Sequence, residues 1–112
     1  MSERQYFHYQ EKRDFQAIWE EMIKVKTPKL LELFAERLGV DVITLQMLEC
    51  TWSREHWAWA FPMRDNDKVC GVRLLCDNGQ KFVMQGSIFG SFSVLGSIDD
   101  EVIKIIRMLD YK

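Results

Sequence analysis

The residues in this sequence best suited to chemistry are aromatic rings set among cations. Trp52, Trp57, Trp59 and Phe61 lie close together, Arg54 and Arg64 are close to them in sequence, and Arg73 and Lys81 occupy the two apolar segments that follow. Rings beside cations stack bases and hold phosphates, so the grouping is a candidate surface for single-stranded nucleic acid. A second arrangement stays open. Trp57, Trp59 and Phe61 alternate, and alternation places them on one face of a strand where they would make a core. Among the cations, Arg64 and Arg73 are the stronger candidates for recognition, because a guanidinium is rarely buried without a partner and its fork fits phosphate or carboxylate.

Catalysis has less to work with. His8 and His56 are far apart and neither belongs to a metal or nucleophile motif. Pairing His56 with Glu55 or with a cysteine across the sheet is the one route to a site. Cys50, Cys70 and Cys76 form an odd set without a C-x-x-C pair, which implies neither a zinc ribbon nor a disulfide framework. Gly86-x-x-x-Gly90 lacks the Gly-Lys-Ser/Thr ending of a phosphate loop and serves as turn chemistry. The expectation is a chain with no catalytic residues, no metal site and no cofactor.

The elements that must position these residues follow from periodicity. Phe15, Ile18, Trp19, Met22 and Ile23 repeat at helical spacing between Asp14 and Val25, opposite Glu20, Glu21 and Lys24. Thr27 and Pro28 start a second helix whose Leu30, Leu31, Phe34 and Leu38 share a face, and Gly39 stops it. Asp41 caps a short third helix with Val42, Leu45 and Met47 or Leu48 pointing inward. From Cys50 the period changes to strands at Trp57 to Arg64, Val69 to Cys76 and Lys81 to Gln85, an antiparallel meander. Asp65-Asn66-Asp67 makes its first turn and Asp77-Asn78-Gly79 its second, where Asn-Gly accepts the positive φ of a tight hairpin. Ser87 to Leu95 is either one more strand or an ordered loop. Ser97 with Asp100 resembles a capping box opening a last helix, whose Val102, Ile105, Ile106 and Leu109 form a buried stripe.

These elements predict an α+β fold: N-terminal helices, a small antiparallel β-meander and a C-terminal helix, packed in layers as a single domain over residues 1–112. The helical part covers 1–49, the meander 50–95 and the last helix 97–110. The length of 112 residues suits one core, and 47% hydrophobic against 29% charged residues places the chain with globular rather than disordered proteins. No segment has the length of a membrane span and no leader-like apolar run follows Met1, so a cytoplasmic location is expected. Fifteen Lys and Arg against seventeen Asp and Glu give a net charge of −2, which excludes the broad positive field of dedicated nucleic-acid binders but allows a local basic face.

The order of motifs Trp59-Ala60-Phe61-Pro62-Met63-Arg64-Asp65, Val69-Cys70-Gly71-Val72-Arg73-Leu74, Asn78-Gly79-Gln80-Lys81 and Gly86-Ser87-Ile88-Phe89-Gly90-Ser91-Phe92 resembles a known one. It is similar, over about residues 38–92, to the segment preceding the TOPRIM domain in phage- and plasmid-type DNA primases. There a helical stretch leads into W-x-F-P-M-x-D, G-x-x-G-I-R-L-R, G-K-K and G-S-x-x-G-L-F. Leu75 stands where that pattern has a second arginine, and Ser91 replaces its leucine. The resemblance covers neither the zinc ligands nor the magnesium-holding Glu and Asp-x-Asp set of those primases, so primer synthesis by these residues alone is not expected.

What the resemblance implies is a non-catalytic module of DNA replication in a phage or mobile element. It would bind single-stranded nucleic acid or a replication protein through Arg54, Trp59, Arg64, Arg73, Lys81 and Ser87. The alternative is a protein–protein interaction module, a mobile-element accessory or inhibitor, that binds no nucleic acid. Its contact surface would be exposed aromatics or the C-terminal helix, and self-association is one form of it.

Overall fold

The structure is a computed structural model describing residues 13–25, 27–88, 90–92 and 94–110. Among these described residues, four helices and five strands follow in the order α1 (Phe15–Met22), α2 (Pro28–Leu38), α3 (Val42–Met47), β1 (Thr51–Ser53), β2 (Ala58–Asp65), β3 (Lys68–Leu75), β4 (Lys81–Val83), β5 (Ser91–Phe92) and α4 (Asp100–Asp110). The expected α+β architecture of helices, antiparallel meander and C-terminal helix is what they form. No helix among the described residues is long and apolar enough to cross a membrane.

The helices start and stop where local chemistry directs. Asp14 caps α1 by accepting the Ala17 N–H at 3.1 Å, and Asp41 caps α3 by accepting that of Ile43 at 3.0 Å. Gly39 ends α2 in the left-handed region at φ 73°, a conformation that costs glycine nothing. Thr27 holds the cap position of α2 but its hydroxyl makes no capping bond, so Pro28 alone fixes that start. At α4 the cap is Asp99, whose carboxylate accepts the Val102 N–H at 2.9 Å. The capping box expected at Ser97 therefore does not form, and the helix opens at Asp100.

Both faces of the sheet are covered. On one side Trp59, Phe61 and Leu75 pack against Phe34 and Ala35 of α2, Leu45 of α3, and Val102, Ile105 and Leu109 of α4. On the other, Ala58, Ala60, Val72 and Leu74 receive Phe15 and Trp19 of α1. The alternation of small Ala58 and Ala60 with large Trp59 and Phe61 decides this layering, since only the small face lets Trp19 approach the strands. Each fully buried large side chain contributes about 1.5–3 kcal/mol. Gln16 also joins α1 to the sheet, accepting the Val69 N–H at 2.8 Å.

The strand order is β1-β2-β3-β4, and β5 pairs with β2 beyond the end of β1. One edge of β2 thus serves two strands: Ala58 to Ala60 pair with β1, and Met63 and Arg64 with β5. Pro62 falls between the two. Its cross-strand partner Val72 uses its N–H on Ser87 Oγ at 3.1 Å and its carbonyl on Met84 N at 2.9 Å, both away from β2. A residue with no N–H is tolerated at this one place in a central strand.

The tight hairpin expected at Asn78-Gly79 is found instead at the first turn. Asn66 and Asp67 both take positive φ, 51° and 67°, which makes the first hairpin the tight two-residue one. The second is wider, running from Cys76 to Gln80 with only Gly79 at positive φ, 88°. Within the range Ser87 to Leu95, Ser91 and Phe92 form the short strand β5, and Ser87, Ile88 and Gly90 before it are described as loop. The loop lies so close that a Cβ on Gly71 would stand 2.6 Å from Ser87 Cβ, and one on Gly90 2.6 Å from the Arg64 carbonyl oxygen.

Candidate functional site

The aromatic residues form a chain of contacts from core to solvent. Phe34 of α2 stacks on Trp59 with ring centroids 4.5 Å apart and planes 7° from parallel. Trp52, the β1 partner of Trp59, meets it edge-on at 5.1 Å, and Trp57 meets Trp52 edge-on at 5.4 Å. Burial falls along this series. Trp59 is buried and Trp57 is 71% exposed.

Trp57 does not share the strand face of Trp59 and Phe61. It ends the turn after β1 at φ 53°, and β2 begins one residue later. A bulky residue at positive φ is a backbone outlier costing on the order of 1 kcal/mol or more. Here the turn holds a large ring in water instead of burying it.

Beside Trp57 is a groove of about 260 Å³ whose floor is Trp52, Trp59 and Phe34. Leu30 and Leu33 of α2 form the opposite wall, 46% and 59% exposed. Leu30 is thus not part of the buried face of α2. It forms a second stripe with Leu33 and Arg37, at spacings of three and four, beside the inward stripe of Leu31, Phe34 and Leu38. At one end Arg37 pairs with Asp77 of the β3–β4 turn at 2.9 Å, with both side chains more than half exposed. A larger hollow, about 390 Å³, lies between the end of α1, the start of α2 and β1, but Glu49, the one carboxylate in its wall, is already held by Arg64.

The residues singled out in the sequence are not brought to one surface. Trp59 is core. Arg64 binds Glu49 through two hydrogen bonds of 3.0 and 3.1 Å and donates a third to the Asp67 carbonyl oxygen at 2.9 Å. Arg73 lies opposite Phe61 on the face that α2, α3 and α4 cover, half-buried. Lys81 donates to the Met108 carbonyl oxygen of α4 at 2.7 Å. The Ser87 hydroxyl accepts the Val72 N–H and so continues the edge that β4 begins. Of the six, only Arg54 is exposed, in the same turn as Trp57. Sequence reading did not single out Leu33, Arg37 or Asp77 as site residues, and the second stripe on α2 was the signal available.

His56 finds neither Glu55 nor a cysteine. Its Nδ1 is hydrogen-bonded to Ser53 Oγ at 3.0 Å, and its backbone N–H donates to the same oxygen at 3.3 Å, closing the turn locally. Among the described residues no carboxylate is hydrogen-bonded to the ring, which leaves this Ser–His contact without the third group of a nucleophile triad. His8 lies outside the described residues. Among those described, no three His, Cys, Asp or Glu side chains converge as metal ligands.

Searched against family models, curated proteins and solved structures, the chain has no significant match.

Proposed function

We propose that this chain is a non-catalytic cytosolic binding module of a replication system, related to the segment before the primase TOPRIM domain, and that its partner is a protein. The observation that carries this reading is Trp57, a large ring in a strained turn, exposed beside an apolar groove. Large aromatic side chains ringed by apolar and charged neighbours are the usual energetic centre of protein interfaces. Nucleic acid is the weaker partner because Arg64 and Lys81 are engaged within the fold, Arg73 is half-buried under the helices, and the net charge is −2.

The test places a photocrosslinking amino acid at Trp57 in the full chain, expressed in its host cell, with the same substitution at Phe82 as control. Phe82 is exposed on the sheet face that carries α1. Protein adducts at position 57 and not at 82 support the reading. Nucleic-acid adducts at 57 would overturn it, as would no adduct at either position.

A further inference from the structure

The β3–β4 turn contains the chain's one Asn-Gly pair, Asn78-Gly79, and holds it in a reactive setting. Asn78, Gly79 and Gln80 are all exposed. Gly79 takes φ 88° with open space where a Cβ would stand, nothing among the described residues coming within 4 Å of that point. Its nitrogen therefore has no side-chain carbon beside it to hinder attack on a neighbouring group. That neighbour is the Asn78 side-chain carbonyl, whose Oδ1 accepts the Gln80 N–H at 3.0 Å while Nδ2 donates to Gln80 Oε1 at 3.4 Å. An Asx-turn of this kind folds the side chain back over the amide that follows it. The Gln80 N–H also draws electrons from Cγ and stands where negative charge on Oδ1 would develop, as the donors of an oxyanion hole do. Asp77, the adjacent carboxylate, has its charge offset by Arg37 at 2.9 Å. One bond opposes the attack, from the Gly79 N–H to the Cys76 carbonyl oxygen at 3.0 Å. It is a single turn bond at a hairpin tip, and its release requires no strand to separate.

We propose that Asn78 is a site of spontaneous modification, in which the backbone closes on the side chain and water converts the amide to aspartate and isoaspartate. Hydroxide takes the Gly79 amide proton, the nitrogen bonds to Asn78 Cγ, and the Cγ–Nδ2 bond breaks, the amide nitrogen leaving as ammonia with a proton from water. Water then opens the five-membered imide at either carbonyl. Opening at Cγ gives aspartate, and opening at the backbone carbonyl gives isoaspartate, whose main chain runs through the former side chain and is one methylene longer. The sum is one water consumed and one ammonia released, with no oxidant or reductant. Either product adds a negative charge beside Asp77, taking the net charge of −2 one unit lower, in the turn that reaches Arg37 of α2. Modification thus changes the end of the groove whatever partner occupies it. Asn66, the chain's other asparagine, is an internal control. It too lies in an exposed hairpin turn, but Asp67 follows it, with a Cβ beside the nitrogen and a carboxylate that disfavours its deprotonation.

The test is incubation of the full chain at neutral pH, sampled at intervals, with digestion by an acid protease that adds no deamidation of its own. Tandem mass spectrometry locates each amide turned to an acid, and enzymatic methyl transfer counts isoaspartate. Steady loss of the amide at position 78 is expected while Asn66 keeps its own, and isoaspartate accompanies aspartate in the product. Asn78→Gln abolishes methyl acceptance, because its longer side chain cannot close the five-membered ring. Circular dichroism verifies that the incubated chain and the variant stay folded, and a parallel sample in urea gives the behaviour of the open chain. An Asn78 amide that persists in the folded chain and converts only in urea overturns the proposal. So does conversion to aspartate without isoaspartate, which is direct hydrolysis, or equal loss at Asn66.

Discussion

Arg64 holds the Glu49 carboxylate in two parallel hydrogen bonds, Nε to Oε2 at 3.1 Å and a terminal nitrogen to Oε1 at 3.0 Å. The pair ties the residue before Cys50 and β1 to the far end of β2, and a third bond secures the β2–β3 turn. Arg64→Ala is expected to lower the unfolding free energy by about 1.5–3 kcal/mol, since it leaves a largely buried carboxylate unpaired. Arg64→Lys recovers only part of that, because an ammonium cannot make both bonds. Urea denaturation measures it. A change within about 0.5 kcal/mol would return Arg64 to the class of surface cations.

Trp57 and Trp59 differ by two positions and by nearly everything else. Trp59→Ala opens a cavity against Phe34 and should cost about 3–5 kcal/mol. Trp57→Ala should leave stability almost unchanged, because only a solvated ring is lost, and Trp57→Gly should raise it slightly, because glycine alone takes the positive φ of this turn without strain. Melting curves of the three variants side by side decide the point.

Glu101 links two helices. Its carboxylate accepts from the Thr44 hydroxyl at 2.8 Å and from the Asp41 N–H at 3.2 Å, joining α4 to the start of α3. Thr44 is buried, so Glu101→Ala leaves its hydroxyl unsatisfied at a cost of about 1–3 kcal/mol. Glu101→Gln keeps a carbonyl acceptor in place and should retain most of the stability. Equal losses in both variants would mean that charge, not acceptance, is what Glu101 supplies.

Burial pushes the Cys50 thiol well above its ordinary range, and burial raises Cys70 as well, with Asp65 adding to the effect. Folded, both hold their protons at a pH where the unfolded chain releases them. The unfolded state therefore binds fewer protons, and stability falls as pH rises past the ordinary thiol pKa of about 8.5. Unfolding free energies measured between about pH 8 and 10 should decline less steeply in Cys50→Ala than in the parent, even though the variant starts lower because of its cavity. Parallel slopes would show that Cys50 titrates alike in both states.

Much of the fold was legible because it depends on local signals. Gly39 and Asp41 act through their own neighbours, and the inward stripes of α1, α2 and α4 repeat at helical spacing. What escaped depends on distant partners. β1 and β5 have three and two residues, too few to show a period, and each exists only because β2 offers it an edge. The Arg64–Glu49 pair spans fifteen positions with no motif to announce it. Trp57 fits the alternation of Trp59 and Phe61 in sequence, and only the positive φ of its turn removes it from their face. The groove required the outer stripe of α2 to meet a turn, a tertiary coincidence that neither segment displays alone.

Pro62 has a kinetic corollary. Where β2 passes from β1 to β5, the amide that would have joined the two pairings is missing. The seam divides that edge into two latches that need not open together. The two-residue pairing of β5 with Met63 and Arg64 is then expected to open before the three-residue pairing of β1 with Ala58 to Ala60. Amide hydrogen exchange along one strand should then run at two speeds, slow near Ala60 and fast near Arg64, so that a single β-strand belongs to two units of local opening.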